Sequence, residues 1–249
     1  MVERNTLKEL NQMLRLKTGI KGLDEVVRGG YPQGTNILIT GPSGSGKTIF
    51  CMQFLYKGVE DYEEHGIFVT LEEHPRDLRK EMASLGWDIE KFEGIDGIVI
   101  LDAASSRAGI PAREKQTLPE GFDIDSLLIE IYKTAKRINA KRIVIDSIPS
   151  LELRTVSEGE VRRSLYRLSS LLLETRTTSL LTTESVRPNM ISRFGFEEFL
   201  CRGVIELMLE EHGLDLKRTL RVRKMRGTEH SMKRMQFEIG KDGIVVFHS

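Results

Sequence analysis

A chain of 249 residues lies near the upper size for a single hydrophobic core, and its 39% hydrophobic and 30% charged residues exclude the composition of a disordered chain. Its 37 basic residues balance 37 acidic ones, which excludes a global field drawing the protein to nucleic acid or an anionic membrane. Cys51 and Cys201 have no C-x-x-C partner and no histidine at ligand spacing, against a metal site or a disulfide framework. The amino terminus lacks the apolar core of a secretion signal and no apolar run reaches membrane-span length, so a soluble cytoplasmic protein with no membrane partner is expected.

Residues 6–16 read as a short helix, because Thr6 and Glu9 fit a capping box and Leu7, Leu10 and Leu14 recur at i, i+3, i+7. Residues 1–17 are then a helical segment ahead of one domain at 18–249, its apolar stripe packing on that domain or on a neighbouring subunit. The Gly-rich stretch 18–34, with a helical piece around residues 23–27, leads into an apolar strand at 36–40. Gly41 to Thr48 follows, reading G-x-x-x-x-G-K-T. In this phosphate-binding loop, backbone N–H groups wrap phosphate oxygens, the lysine reaches the β- and γ-phosphates and the threonine hydroxyl binds Mg²⁺. Lys47 opens a helix at 47–64 that is apolar almost all round, so the phosphates would sit on a helix N-terminus.

The alternation continues with a strand at 66–71, a helix at 76–85, a strand at 97–101 and an irregular surface segment at 103–121. A helix at 124–138, a strand at 142–145, a helix at 158–176 and a strand at 179–182 come next. Such a pattern predicts an α/β fold, a mostly parallel sheet with helices on both faces. The carboxyl third reads instead as antiparallel strands at 203–209, 216–223 and 236–247, with Lys241-Asp242-Gly243 as a hairpin turn.

Four places carry candidate chemistry. The apolar string RIVID ends in Asp146, where a carboxylate after a strand can help hold Mg²⁺. Glu72 and Glu73 end the strand at 66–71, and alternation along an extended chain lets only one of them face a γ-phosphate. Thr183 and Glu184 stand at the tip of another strand, as phosphate sensors or simple strand caps. Residues 221–234 hold seven cationic side chains, His230 included, against Glu229 alone. That run is either a solvated strand face or a source of cations supplied in trans to a phosphoryl group.

The chain resembles the KaiC-like branch of the RecA/RadA ATPase superfamily through TGIKGLDEVVRGGYPQG, GPSGSGKT, IFVTLEEHP with SLGWD after it, RIVIDS, RFGFEEFL and KMRGTEHSMK. The resemblance implies a RecA-like P-loop NTPase core with a carboxyl-terminal antiparallel extension, assembled as a homohexameric ring that binds ATP and Mg²⁺ between subunits. It implies Glu72 as the catalytic glutamate with Glu73 and Lys47 beside it, and Ser43, Gly44, Ser45, Gly46, Lys47, Thr48 and Ile49 around the phosphates. Thr48 and Asp146 would meet the metal and Ser84 would lie near the nucleotide. Lys224, Met225, Arg226, Thr228 and His230 would reach the ATP of the adjacent protomer. KaiC carries two such domains in tandem and this chain one, and the Ser-Thr pair phosphorylated in the second domain is matched here by Glu198 and Phe199, which lack hydroxyls. Two other functions fit the residues: a RadA-like single-stranded DNA-binding protein using Arg187, Arg193, Phe194 and Phe196, and a nucleotide-gated scaffold with little turnover.

Overall fold

The computed structural model describes residues 14–109, 114–152, 157–185 and 190–248. The lead-in holds β1 (Arg15–Leu16), α1 (Leu23–Val26) and β2 (Tyr31–Pro32). Then come β3 (Asn36–Gly41), α2 (Lys47–Tyr62), β4 (Gly66–Thr70), α3 (Pro75–Ser84), α4 (Ile89–Glu93), β5 (Ile98–Asp102) and α5 (Ala104–Ala108). The middle continues through α6 (Ile124–Arg137), β6 (Arg142–Asp146), a 3₁₀ turn (Ile148–Glu152), α7 (Glu158–Glu174), β7 (Thr178–Glu184) and α8 (Glu197–Leu200). Four strands end the chain: β8 (Gly203–His212), β9 (Asp215–Met225), β10 (Met235–Gly240) and β11 (Gly243–Val246).

A nine-stranded sheet runs in the order β11-β10-β9-β8-β3-β7-β6-β4-β5. Its strands are parallel from β8 to β5 and antiparallel from β8 out to β11. The carboxyl third therefore widens the RecA-like sheet instead of forming a separate one. Strands β3, β4 and β5 are buried along their whole length, as parallel strands covered on both faces must be. Ile37 and Ile39 face one apolar cluster with Phe50, Phe54 and Ile244, whereas Leu38 faces the other with Ile67, Leu127 and Leu168. That is the two-residue alternation of a strand between two helical layers.

Two expectations differ from the fold. The helix read at 6–16 falls mostly outside the described residues, and Arg15–Leu16 is a strand paired with Tyr31–Pro32. Arg15 Nη1 donates to Val27 O, Gly30 O and Thr228 Oγ1, each at 3.0 Å, and this local anchoring overrides the leucine spacing. The segment 103–121 is not wholly irregular or superficial. It contains α5, Leu118 is buried, and Asp102 Oδ1, itself buried, accepts from Ser105 N at 2.9 Å. A five-residue helix reading Ala-Ser-Ser-Arg-Ala has no apolar period to read. Among the described residues no helix is long and apolar enough to cross a membrane.

A guanidinium lies inside the core. Arg142, fully buried at the start of β6, donates through Nε to Glu64 Oε2 at 2.8 Å and through Nη1 to Phe54 O at 2.8 Å. Its guanidinium carbon lies 4.5 Å from the Phe54 ring centroid. Gly58 makes the room, because a Cβ there would stand 2.3 Å from Arg142 Nε. Gly58→Ala is expected to destabilise the fold by about 3 kcal/mol, through overpacking and damage to a buried ion pair. Urea unfolding should show a lower midpoint at unchanged slope, and an unchanged midpoint would mean that the guanidinium moves aside freely.

Candidate nucleotide-binding site

The parallel register sets the carboxyl ends of β3, β7, β6 and β4 side by side, with Gly41 opposite Glu184, Ile145 opposite Leu181 and Thr70 opposite Asp146. Open α/β sheets bind their ligands at this edge. The loop Gly41 to Thr48 leaves β3 here and enters α2. A Cβ on Gly41 would lie 2.4 Å from Leu207 O, and one on Gly46, at φ 96°, would lie 2.8 Å from Ile239 Cδ1, so both positions require glycine. Ser43 and Gly44 are exposed at the loop tip. Ser45 is buried, and its hydroxyl has no hydrogen-bond partner among the described residues. Ile49 packs against the core with its side chain, leaving its backbone for any ligand contact.

Lys47 Nζ donates to Gly41 O at 2.9 Å and Pro42 O at 3.0 Å, which folds the ammonium over the loop. Burial lowers its pKa, and the negative charges of Glu184, Asp146 and Glu72 oppose the shift. Thr48 Oγ1 donates to Asp146 Oδ2 at 2.8 Å, and Thr182 Oγ1 donates to Asp146 Oδ1. Burial raises the Asp146 pKa while the two hydroxyls hold it down. Among the described residues no cluster of three or more His, Cys, Asp and Glu could hold a metal ion. A hydroxyl and one carboxylate beside a phosphate loop nevertheless fit Mg²⁺, which keeps several waters and takes its other ligands from phosphates.

The neighbouring glutamates part company. Glu72 Oε1 accepts from the hydroxyls of Ser147 and Ser150, which follow β6, so the carboxylate is held beside Asp146. Glu73 instead meets Glu81 of α3. Burial first, and then the Glu81 carboxylate, raise its pKa to about 7. Thr183 does not point at the loop, since its hydroxyl donates to Glu197 Oε1 at 3.0 Å. Glu184 forms an ion pair with Arg193 at 3.6 Å. Thr182, Ser147 and Ser150 escape a reading of the sequence. The only signal they leave is their position, at or just after the end of an apolar strand.

The Lys224–His230 part of the cationic run lies at the other end of the sheet, whereas Arg221 is level with Thr40 through Glu206. Met225 pairs with Gly203, which pairs with Ile37 near the start of β3. Four residues of strand, about 13 Å at ~3.3 Å each, separate that level from Gly41. A register shift between Val204 and Ile205 leaves Arg223 unpaired and sets Lys224 opposite Val204. Lys224 Nζ donates to Glu198 O at 2.9 Å and Cys201 O at 2.6 Å, and its pKa is lowered by burial and then by Arg226. Arg226 is exposed, whereas the Met225 side chain is buried and belongs to the core. Thr228 accepts from Arg15, and His230 Nδ1 lies 3.0 Å from Thr228 O. The His230 ring borders a cleft of about 420 Å³ with Glu25, Arg28, Lys233 and His248. Ser84 is exposed at the end of α3, its hydroxyl donating to Glu81 O at 2.6 Å. It adjoins a cleft of about 520 Å³ lined by Arg76, Lys80, Ala83, Gly86 and Trp87.

The aromatic residues considered for base stacking are packed inward. Phe196 is buried and stacks on Phe194 at 5.8 Å between ring centroids, and Phe194 packs against the core. Arg187 lies outside the described residues.

Comparison with known proteins bears on the fold and the family. The crystal structure of a KaiC-like protein from Pyrococcus horikoshii OT3 superposes with a TM-score of 0.83 at 50% identity, covering 95% of this chain and 100% of that one. A UPF0273 protein of Methanocaldococcus jannaschii is 41% identical over 94% of this chain and 97% of its own length. The circadian clock oscillator protein KaiC of Synechococcus elongatus is 36% identical over 99% of this chain but 47% of its own length. The chain thus spans about half the length of the KaiC proteins that it matches. The family profile described as the KaiC ATPase matches residues 16–249, and the chain belongs to the KaiC family of ATPases.

Proposed function

We propose that the protein binds Mg·ATP and hydrolyses it in a homohexameric ring, each nucleotide lying between one protomer's phosphate loop and the Lys224–His230 segment of the next. The observation that carries this reading is the polarity of the sheet. Lys47, Thr48, Asp146 and Glu72 gather at the carboxyl ends of the parallel strands, while Lys224 and Arg226 leave the opposite edge. One chain cannot bring both sets to one phosphate.

In this reading the loop amides and Lys47 hold the phosphates, and Thr48 and Asp146 hold the cation. Bound Mg·ATP supplies an electrophilic γ-phosphoryl group with part of its charge already neutralised. Glu72 Oε1 is fixed by Ser147 and Ser150, and Oε2 takes the proton of the attacking water. Lys224 and Arg226 of the neighbour neutralise charge on the transferring group. Glu73, its pKa raised by burial and then by the Glu81 carboxylate, is not the base in this reading.

Glu72→Gln should lower turnover by about 10²- to 10⁴-fold, the range for loss of a general base, with ATP affinity nearly unchanged. Equilibrium nucleotide binding and steady-state phosphate release measure the two, and wild-type turnover would remove Glu72 from its role. Arg226→Ala subunits mixed with Glu72→Gln subunits should regain activity at mixed interfaces; inactivity at every ratio would count against a shared site. For Glu73, the acid titrates near 4.5 in the unfolded chain and near 7 in the fold, so folding takes up a proton between these values. This group therefore costs stability as pH rises from about 4.5 to about 7, with no further change above. Glu73→Gln should stabilise the protein more at pH 8 than at pH 5 in urea unfolding. An equal effect at both would make Glu73 an ordinary carboxylate.

A further inference from the structure

We infer that Glu197 is a positioning residue that ties β7, whose Thr182 holds the Asp146 carboxylate, to the Lys224 lent to the next site. The inference rests on the shared-site reading above. Glu197 is 1% exposed, and its carboxylate is fully engaged. Oε1 accepts from Thr183 Oγ1 at 3.0 Å, Phe194 N–H donates to both oxygens at 3.2 Å, and Phe196 N–H donates to Oε2 at 3.2 Å. A buried carboxylate survives only with such partners, and it fixes them in return.

Thr183 follows Thr182, whose hydroxyl binds Asp146. Neighbours along a strand face opposite sides, so the end of β7 holds the metal carboxylate with one face and Glu197 with the other. From Glu197 a strap of chain, residues 190–202, runs down the sheet. Its upper part is pinned by Thr40 Oγ1 donating to Ile191 O, and Ser192 Oγ donates to Glu198 Oε2. Its lower part is pinned to the start of β3, where Asn36 Nδ2 reaches Leu200 O at 3.4 Å and Arg202 N donates to Asn36 O at 2.9 Å. Between these anchors sits α8, whose Glu198 carbonyl, with that of Cys201 just beyond it, takes two of the three N–H donors of Lys224. The direction of the ammonium is therefore set by α8, and α8 begins at Glu197. A displacement of β7 when Asp146 holds its cation reaches, through this carboxylate, the cation that serves the adjoining nucleotide.

A purely structural pin would weaken the subunit that carries the mutation; a positioning residue weakens the neighbour's site. Glu197→Gln keeps the shape but turns a donor amide toward N–H groups, and Thr183→Val removes the hydroxyl alone. Each variant should bind ATP within about twofold of wild type and turn over about tenfold more slowly, the upper range for residues that act through a network. Mixed with excess Glu72→Gln subunits, whose own sites are silent but whose strap and Lys224 are intact, turnover per Glu197→Gln or Thr183→Val subunit should rise at least about fivefold. Lys224→Ala, mixed in the same way, is the control. If Lys224→Ala recovers and neither strap variant does, the role of Glu197 is overturned while the shared site stands. If none recovers, the shared site fails and this inference with it. Should Glu197→Gln not fold, Thr183→Val decides the question.

Discussion

Asp146 is the side chain on which the site's geometry converges. It ends β6 and receives one hydroxyl from the first turn of α2 and another from β7, so three separate elements meet on one carboxylate. This meeting requires β3, β7 and β6 to be in register, and that register is fixed by the two apolar clusters on either face of the sheet. Burial alone would favour a neutral acid here; two hydroxyl donors and Lys47 work against it. Glu72 hangs from the same point, because the serines that hold it directly follow β6.

Strand direction explains how a chain with no net charge gathers cations at one edge of its sheet. β8 runs parallel to β3, and β9 returns antiparallel, so basic residues late in β9 are carried to the amino edge of the sheet. Their field is local, and the balanced total charge says nothing about it. A surface with acceptor groups at one edge and donor groups at the other pairs head to tail, and head-to-tail contacts close into rings when the rotation permits.

The sequence made the parallel core legible because continuous apolar runs and one buried amphipathic helix after another leave a strong periodic signal. The phosphate loop, Thr48 and Asp146 were readable for the same reason, as punctuation at the ends of strong elements. What escaped was set by tertiary contact. Arg15–Leu16 became a strand because a guanidinium anchors it to two turns. Phe196, which looked available for stacking on bases, is instead held in the core beside Glu197. The hydroxyls of Thr182, Ser147 and Ser150 have no spacing rule, and only the fold brings them to the carboxylates they serve.

The two adjacent glutamates illustrate how position becomes chemistry. Both stand at the end of β4, and composition cannot separate them. Glu72 is drawn toward β6 by the hydroxyls of Ser147 and Ser150. Glu73 is drawn toward α3, where Glu81 and Asp77 add negative charge to a partly buried acid and raise its pKa to about 7. A base must also be within reach of the water it activates, and reach outranks pKa. Glu72 is held among the serines that follow β6, beside Asp146, whereas Glu73 turns to Glu81 of α3. The near-neutral pKa of Glu73 reflects burial first and then crowding among acids.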